Sequence, residues 1–425
     1  MTSSPIDIDG PRVALYSPAF AADPHESYRQ MRDTYGSLVP VELAEGVPAT
    51  LVIGYRTAVR ILHDPDHFPA DPRSWQQNIP AGCPVKPMLE WRPNAIRSSG
   101  SDHLRYRQAN VAAIAAVDLH GLHAIVEETA IPLIDAFCAD GKADLLAQYA
   151  TPLAFQVINT MLGCSPEIGQ RVAAGIMAMF EGNDAADGNA MLIEALTELV
   201  AQKQLEPGED ITSRLVRHPA ALNEREVVEQ LVPLYGAGVE PTLNLIGNTL
   251  LSTLVDQTFA GDVLGGSLST RDALDEVLFT DPPIANFCMT YPRHPILIEG
   301  VWLPAHQPVV ISISACNNDP EISAGDHTGN RSHLAWGAGP HACPARQAAY
   351  LIAQDGVDQL LDALPDIRLA VPADTLTWRP GPFHRALAAL PVVFPPSRPF
   401  GTGPRTGSAP ARYQDGTPPA SVAHP

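Results

Sequence analysis

The segment WGAGPHACPAR at residues 336–346 constrains this chain more than any other stretch. It places Cys343 in a loop of small residues, directly before a long amphipathic helical pattern. Glycine and alanine leave little side chain in the way, so a bulky partner can approach the backbone closely. A cysteine at a helix N-terminus faces the positive end of the helix dipole, which favours the thiolate. One thiolate alone predicts a ligand to haem iron rather than to zinc; the simpler alternative is a buried cysteine in a tight turn.

The other cysteines are scattered, and no pair has CxxC spacing; they are Cys83, Cys138, Cys164, Cys288 and Cys316. This usage predicts a reducing compartment and argues against a zinc site or a disulfide framework. With 27 basic and 47 acidic residues the net charge is −20, which argues against nucleic acid or an anionic membrane surface as a partner. No apolar run approaches the roughly 18 residues of a membrane span, and the first residues are polar rather than an apolar leader. We therefore expect a cytoplasmic protein with no membrane span.

Hydrophobic periodicity divides the chain into a helical centre and short flanking strands. Residues 103–260 are helical in pattern almost throughout. One long apolar helix is predicted over about 223–256, with Asn223 as its N-cap. Alternating and β-branched residues predict strands within 35–63 and again within 296–314. The predicted fold class is mainly α with small β-sheets.

The cysteine loop resembles the haem-binding loop of the cytochrome P-450 family, whose pattern is FGxGxHxCxG. The residues that carry the resemblance are Trp336 in place of Phe, Gly337, Gly339, His341, Cys343, and Ala345 in place of the last Gly. The resemblance implies the cytochrome P-450 fold as a single large domain over residues 15–395. An N-terminal arm over 1–14 and a disordered Pro/Gly-rich tail over 396–425 would flank it. It also implies haem b (iron protoporphyrin IX) as the cofactor, with Cys343 as the axial ligand of the iron.

Three basic residues outside the loop are further candidates for binding the haem. His103 and Arg107 form HxxxR at the start of a predicted helix, and the i, i+4 spacing puts both on one face, where they could clamp a carboxylate. The resemblance assigns this pair, together with His341, to the haem propionates. Arg293 follows the segment that supplies another propionate arginine in the family, although its register is shifted.

The long helix carries YGAGVEPTLNL at 235–245, which resembles the family motif AGx(D/E)TT. Gly238, Glu240 and Thr242 match it, and Pro241 stands where the first threonine belongs. The resemblance implies that the acid and the threonine deliver protons during dioxygen activation, help that is typically worth about 10²- to 10⁴-fold. Proline lacks an N–H and crowds the preceding turn, so we expect a kink that keeps a groove open. Proton delivery would then depend on Thr242, Glu240 or water; alternatively, Pro241 is only a helix bend.

The family's ExxR motif is incomplete in this chain. Glu276 is present, but Phe279 stands in place of the arginine, and the second arginine position falls near Thr328. A carboxylate buried without a partner is costly. We therefore expect either that Arg331 substitutes or that Phe279 replaces the ionic contact by packing. The pattern resembles a minority of actinobacterial cytochrome P-450s that lack this arginine, for which haem retention is expected and reduced activity stays an open outcome.

The resemblance implies a haem-thiolate monooxygenase that oxidises an apolar small molecule. Electrons would come from a separate ferredoxin or flavodoxin, because the chain carries no nicotinamide, flavin or iron–sulfur motif. Two alternatives stay open because Pro241 and Phe279 depart from the family pattern. One is a haem enzyme with non-oxygenase or peroxide-driven chemistry. The other is a catalytically weak haem-binding sensor or partner protein.

Overall fold

The computed structural model describes residues 12–79, 82–181, 185–255, 269–322, 327 and 330–400. The predicted mainly helical class is confirmed. The α-helices span Pro18–Ala22, Pro24–Tyr35, Tyr55–Leu62, Lys86–Leu89, Gly100–Ala115, Leu119–Asp135, Thr151–Leu162, Pro166–Glu181, Ala185–Leu205, Ile211–Arg217, Glu224–Val255, Thr270–Thr280, Ile313–Asn317 and Arg346–Ala363.

Short strands form small sheets beside the helices, as the β-branched runs predict. The strands are β1 (Val13–Ala14), β2 (Leu38–Glu42), β3 (Pro48–Val52), β4 (Lys142–Asp144), β5 (Asn286–Thr290), β6 (Ile296–Ile298), β7 (Val301–Leu303), β8 (Val309–Ser312), β9 (Arg368–Leu369) and β10 (Pro391–Val393). One sheet has the order β1-β2-β3-β8-β5, a second has β4-β10-β9, and β6 pairs with β7. Since β3 and β8 are parallel while β2 and β3 are antiparallel, the five-stranded sheet joins the first part of the chain to residues that precede the cysteine loop.

The helix Glu224–Val255, called the long helix below, begins with a reciprocal capping arrangement. The Glu226 N–H donates to Asn223 Oδ1 at 3.0 Å, and the Asn223 N–H donates to Glu226 Oε2 at 2.9 Å. These two bonds satisfy N–H groups that a helix start otherwise leaves unpaired, which confirms Asn223 as the N-cap. The helix then continues without interruption through Pro233 and Pro241.

The long helix and the helix Arg346–Ala363 pack closely in the main helical core. A Cβ atom added at Gly356 would lie 2.8 Å from Leu153 Cδ2 and 3.3 Å from Ile246 Cδ1. A larger side chain at Gly356 would therefore push the two helices apart. The Tyr149 hydroxyl, from the turn before the helix Thr151–Leu162, donates to the Gly356 carbonyl at 2.6 Å and ties that segment to the same contact. The packing holds the helix that follows Cys343 against the helix that carries Glu240.

Within the described ranges, no single helix is long and apolar enough to cross a membrane. The helices Gly100–Ala115 and Leu119–Asp135 reach that length and hydropathy only as a pair, and the pair is bent by 70°. Of the predicted N-terminal arm, residues 1–11 lie outside the described residues. The predicted tail is described only as far as residue 400.

Candidate active site

The cysteine loop is a compact double turn that ends where the helix Arg346–Ala363 begins. Two 3₁₀ turns, Leu334–Trp336 and Gly339–His341, shape it. Gly337 and Gly339 have φ angles of 65° and 66°, a region that favours glycine because a Cβ atom would clash there. The Cys343 N–H donates to the Trp336 carbonyl at 2.7 Å. The loop is thereby closed on itself before the helix starts.

Cys343 is half-buried beside positive charge. Burial raises the pKa of its thiol, while the Ala345 N–H and the charges of Arg107 and Arg346 act in the opposite direction. Hydrogen bonds and cations of this kind stabilise a thiolate once an electrophilic metal is present. The net effect raises the pKa, so the N–H and the two arginines are the groups that would support the thiolate if a metal were bound.

The structure brings His103, Arg107 and His341 together with Cys343. The His103 and His341 rings are tilted by 34° with their centroids 4.0 Å apart. Burial, followed by the charges of His103 and Arg107, lowers the pKa of His341 to about 3, so both rings can serve as neutral N–H donors. The Arg107 guanidinium donates to the Ala342 carbonyl and so ties the helix Gly100–Ala115 to the cysteine loop. Among the described residues, the buried His103 Nε2 has no hydrogen-bond partner.

Arg97 is a fourth basic residue at this cluster, and the sequence offers no signal for it. Arg97 is only 6% exposed. Its guanidinium donates to the Met88 carbonyl and lies 5.3 Å from the centroid of the Phe287 ring. Its positive charge also acts on His341. Burial lowers the pKa of Arg97, and within the described residues no carboxylate is among the titratable groups that act on it. Arg97 sits in the proline-rich loop, where periodicity carries no information about which side chains turn inward.

Arg293 does not join this cluster as Arg97 does. It is exposed, and its Nη2 lies 3.4 Å from Ser99 Oγ. The buried arginine whose charge reaches His341 is Arg97. The proposed role of Arg293 therefore has weaker support than that of Arg97.

The cluster of Arg97, His103, Arg107, His341 and Cys343, called the basic cluster below, fits haem. Haem offers an iron atom for a thiolate and two propionates that need cationic or N–H partners once they are buried. Buried guanidinium and imidazole groups without a carboxylate are costly by themselves. Two carboxylates from a cofactor would satisfy them, so the residues present agree with the group.

The middle of the long helix has an open face formed by Gly236, Ala237 and Glu240. Gly236 and Ala237 are exposed, and a Cβ atom added at Gly236 would meet no atom within 4 Å. Glu240 follows at i+4 and i+3 and so lies on the same face. Gly238 lies on a different face of the helix, which packs against Ile158: a Cβ atom added at Gly238 would lie 3.1 Å from Ile158 Cδ1. Thr242 is buried.

Glu240 is held by two partners. The Arg379 guanidinium forms an ion pair with Glu240 Oε1, and Asn244 Nδ2 donates to the same oxygen at 3.0 Å. Pro241 provides neither a hydroxyl nor an N–H at this point of the helix. Glu240 is therefore the carboxylate that the structure places on the open face.

The incomplete ExxR motif is replaced by a different set of contacts. His327 stacks on Phe279, with ring centroids 4.4 Å apart and planes 7° apart, and its Nδ1 lies 3.3 Å from Glu276 Oε1. Glu276 therefore has a partner, and Phe279 contributes by packing, as one of the two expectations had it. Arg331 instead pairs with the neighbouring Asp275, with Nε 2.8 Å from Oδ2. Thr328 lies outside the described residues.

Asp275 is the centre of these contacts. Its buried carboxylate also accepts from the Tyr350 hydroxyl and lies 3.5 Å from His333 Nε2. His333 directly precedes the first turn of the cysteine loop, and Tyr350 lies on the helix that follows it. The side chains of Asp275, Glu276, Phe279, His327, Arg331, His333 and Tyr350 are called the lock cluster below. It joins the helix Thr270–Thr280 to both sides of the cysteine loop.

A mainly helical fold that places the thiol of Cys343 in a tight turn beside buried basic groups has the features expected of a haem-thiolate protein. The comparisons with known proteins agree. The chain is 30% identical to the cytochrome P450 monooxygenase PikC of Streptomyces venezuelae, over 96% of this chain and 98% of that protein. It is 29% identical to cytochrome P450 107B1 of Saccharopolyspora erythraea, over 90% of this chain and 98% of that protein. Among solved structures, "Testerone bound CYP154C4" from Streptomyces sp. ATCC 11861 has a TM-score of 0.83 and 27% identity, over 92% of this chain and all of that one.

The chain belongs to the cytochrome P450 family. A comparison with models of protein families gives no match, so the assignment rests on these full-length relatives and on the fold. The family assignment makes the chain an oxidoreductase that uses haem b, and the relatives are monooxygenases. The sequence-based predictions of family, fold, enzyme class and cofactor are confirmed at that level.

Proposed function

We propose that this chain is a haem-thiolate monooxygenase that oxidises an apolar small molecule. The observation that carries the proposal is that the fold gathers a thiol and four basic groups in one cluster, while the long helix carries an open face with the carboxylate of Glu240. The CYP154C4 structure is described as "Testerone bound", and we infer a small-molecule substrate for this chain as well. The small side chains at Gly236 and Ala237 leave room for such a substrate.

The basic cluster would hold the haem. Cys343 would bind the iron, while Arg97, His103, Arg107 and His341 would bind the propionates, and Arg293 is a weaker candidate for the same role. When bound, the haem supplies dioxygen activation, which a thiolate ligand favours by donating electron density. The buried His103 Nε2 supports this assignment, because it needs an acceptor.

The long helix would provide the proton chemistry and the binding space. Glu240 would hold a proton at Oε2 and pass it toward the open face, because Oε1 accepts from Asn244 and pairs with Arg379, which fix the carboxyl group. Gly238 would keep the helix close to Ile158, where even a Cβ atom is tight. The Thr242 side chain is buried, so it would take part in proton transfer through neighbouring groups of the long helix or through water.

We infer that a ferredoxin or flavodoxin supplies the electrons, as is general for bacterial relatives of this family. Most arginines around the cysteine loop are already paired. Arg105 binds Glu226 at 2.7 Å, Arg331 binds Asp275, and Arg107 points to the loop. Arg346 is exposed and is the arginine of this group that remains available to an acidic partner. The haem domain is proposed to span residues 15–395.

The test is spectroscopic first and catalytic second. The reduced protein under carbon monoxide should show the absorption shift of a thiolate-ligated haem, and Cys343→Ser should abolish it; an imidazole-type shift in the unmodified chain would contradict the ligand assignment. Turnover is then measured with dioxygen, NADPH, a surrogate ferredoxin with its reductase, and testosterone as the probe. A hydroxylated product supports the proposal. Product with hydrogen peroxide alone supports the peroxide-driven alternative, and a thiolate spectrum without either activity supports the sensor or partner protein.

A further inference from the structure

We propose that Arg92 is a specificity-determining residue that closes one end of the open face and so limits the length of the substrate. This inference rests on the proposed function, in which the open face of the long helix binds the substrate. Arg92 closes that end by holding its own loop against the carboxylate of Glu229. The substrate class that follows is an apolar molecule no longer than the stretch of helix between Glu229 and Glu240.

Glu229 lies on the same side of the long helix as the open face. At about 3.6 residues per turn, Gly236 and Glu240 are within about 20° of Glu229 around the helix axis. Gly236 is exposed, whereas Glu229 is buried. The face is therefore open in its middle and covered at Glu229. With a rise of about 1.5 Å per residue, Glu229 and Glu240 are about 16 Å apart along the axis.

Arg92 is the side chain that covers Glu229. Its guanidinium lies 3.3 Å from Glu229 Oε2, donates to Asn189 Oδ1 at 2.8 Å and lies 3.4 Å from Glu90 Oε1. Arg92 thereby joins its own loop to the helix Ala185–Leu205 and to the long helix. The side chains of Arg92 and Glu229 are only 12% and 11% exposed. Removing one partner of such a pair leaves a charge with little access to water, which is strongly unfavourable.

A second anchor holds the rest of this loop independently of Arg92. Gln230 Nε2 donates to the Pro93 carbonyl at 2.8 Å, and the Ala95 N–H donates to Gln230 Oε1 at 3.0 Å. Loss of Arg92 should therefore leave the attachment of Pro93 and Ala95 intact. Glu229 would lose its cation, and its carboxylate would be costly until water reached it. The part of the loop before Pro93 should then lift from the helix, and the open face should extend as far as Glu229.

The test measures the permitted ligand length with 1-alkylimidazoles, whose imidazole binds haem iron while the alkyl chain occupies the pocket. Titration of the haem-loaded full-length protein, followed by the absorption shift of the haem, gives a dissociation constant for each chain from methyl to decyl. In the unmodified protein each methylene should tighten binding up to about fourfold until the chain reaches Arg92, and further methylenes should add nothing. Arg92→Ala should move this break point to longer chains and tighten binding of the decyl compound about tenfold, as two or more further methylenes become buried.

Arg105→Ala is the matched control. Arg105 also binds a carboxylate of the long helix, with Nη2 2.7 Å from Glu226 Oε2. Glu226, however, lies about 80° around the helix from Gly236, so this variant should leave the break point unchanged. Glu229→Gln is a second variant that keeps the shape of the buried side chain. It should move the break point in the same direction as Arg92→Ala, but by less, because the amide can still accept from Arg92.

A second measurement needs no ligand. Hydrogen–deuterium exchange of the backbone amides of residues 86–92 should be faster in Arg92→Ala and unchanged in Arg105→Ala. Unchanged exchange in Arg92→Ala overturns the proposal. So does a break point that is absent from the unmodified protein, that stays in place in Arg92→Ala, or that moves equally in Arg105→Ala. If the unmodified protein shows the break point but forms no product with dioxygen and the surrogate ferredoxin, the proposed function fails, while the break point still decides the role of Arg92.

Discussion

Replacing Asp275 by alanine tests whether the lock cluster supports the cysteine loop. The Asp275 carboxylate is 3% exposed and accepts from Tyr350, contacts His333 and pairs with Arg331. Without it, the buried Tyr350 hydroxyl and His333 ring lose an acceptor, and each such loss costs about 1–3 kcal/mol. Arg331 is 46% exposed, so its share is below about 1 kcal/mol. The expected loss in the free energy of unfolding is therefore about 2–6 kcal/mol.

The measurement is urea unfolding of the haem-loaded protein, with the carbon monoxide spectrum recorded in parallel. Asp275→Ala should unfold at a lower urea concentration and show a larger fraction of haem without thiolate ligation. Arg331→Met is the matched control, because it removes the solvent-exposed partner of the same carboxylate and should cost less than about 1 kcal/mol. Equal losses in the two variants would refute the reasoning, since they would show that the buried acceptor contributes no more than the surface ion pair.

The same carboxylate gives the lock cluster a pH dependence. Burial raises the pKa of Asp275, but hydrogen bonds from His333, Tyr350 and Arg331 outweigh it and leave the pKa below its usual range. A carboxyl group with a lowered folded-state pKa stabilises the fold above its unfolded value of about 3.9 and loses that contribution as the pH falls through the folded value. The difference in stability between the unmodified protein and Asp275→Asn should thus be full near neutral pH and shrink below about pH 4. A difference that stays constant down to pH 3 would contradict this.

Three further variants address the haem and the long helix. Arg97→Met should speed haem transfer to apomyoglobin about 10- to 100-fold, because a hydrogen bond to a charged group contributes about 1.5–3 kcal/mol; the exposed Arg293→Met should change the rate less than about twofold, and equal rates would remove Arg97 from the site. Pro241→Thr should lower the share of electrons lost as hydrogen peroxide, because it restores a hydroxyl beside Glu240, and unchanged coupling would contradict the role given to Pro241. Phe279→Arg should lower the melting temperature, because Phe279 is buried and stacked on His327. An unchanged melting temperature would show that the stacking of these two rings does not contribute to stability.

The fold was predictable because its signals are local. The capping pair Asn223 and Glu226 lies within one turn, and it starts the long helix where periodicity places the start. The cysteine loop is equally local, since its glycines and Cys343 lie within a few residues of one another. Periodicity alone did not establish the cytochrome P-450 fold; the family motifs suggested it and the full-length relatives confirm it.

The parts of the site that could not be predicted depend on contacts between distant segments. Arg97 reaches the basic cluster from a loop without periodicity, and nothing in its neighbourhood distinguishes it from a surface arginine. His327 and Glu276 are 51 positions apart. None of the family motifs quoted above spans so many residues. Asp275 directly precedes Glu276 and is not part of the ExxR motif, although it is the more deeply buried of the two carboxylates. Only the packing of the helix Thr270–Thr280 against the cysteine loop reveals the roles of His327 and Asp275.

The two departures from the family pattern have separable consequences, because they lie in different clusters. At Phe279 the lost arginine is replaced by His327 as the partner of Glu276, while Arg331 pairs with Asp275, whose contacts reach both sides of the cysteine loop, so this departure bears on haem retention. At Pro241 a hydroxyl is lost on the long helix, where Glu240, Arg379 and Asn244 are the polar groups in contact, so this departure bears on proton supply. Variants in the lock cluster should therefore change the carbon monoxide spectrum before they change the peroxide share, and variants at Glu240 or Pro241 should do the reverse. A variant at either place that changed both observables together would show that the packing of the long helix against Arg346–Ala363 couples the two clusters.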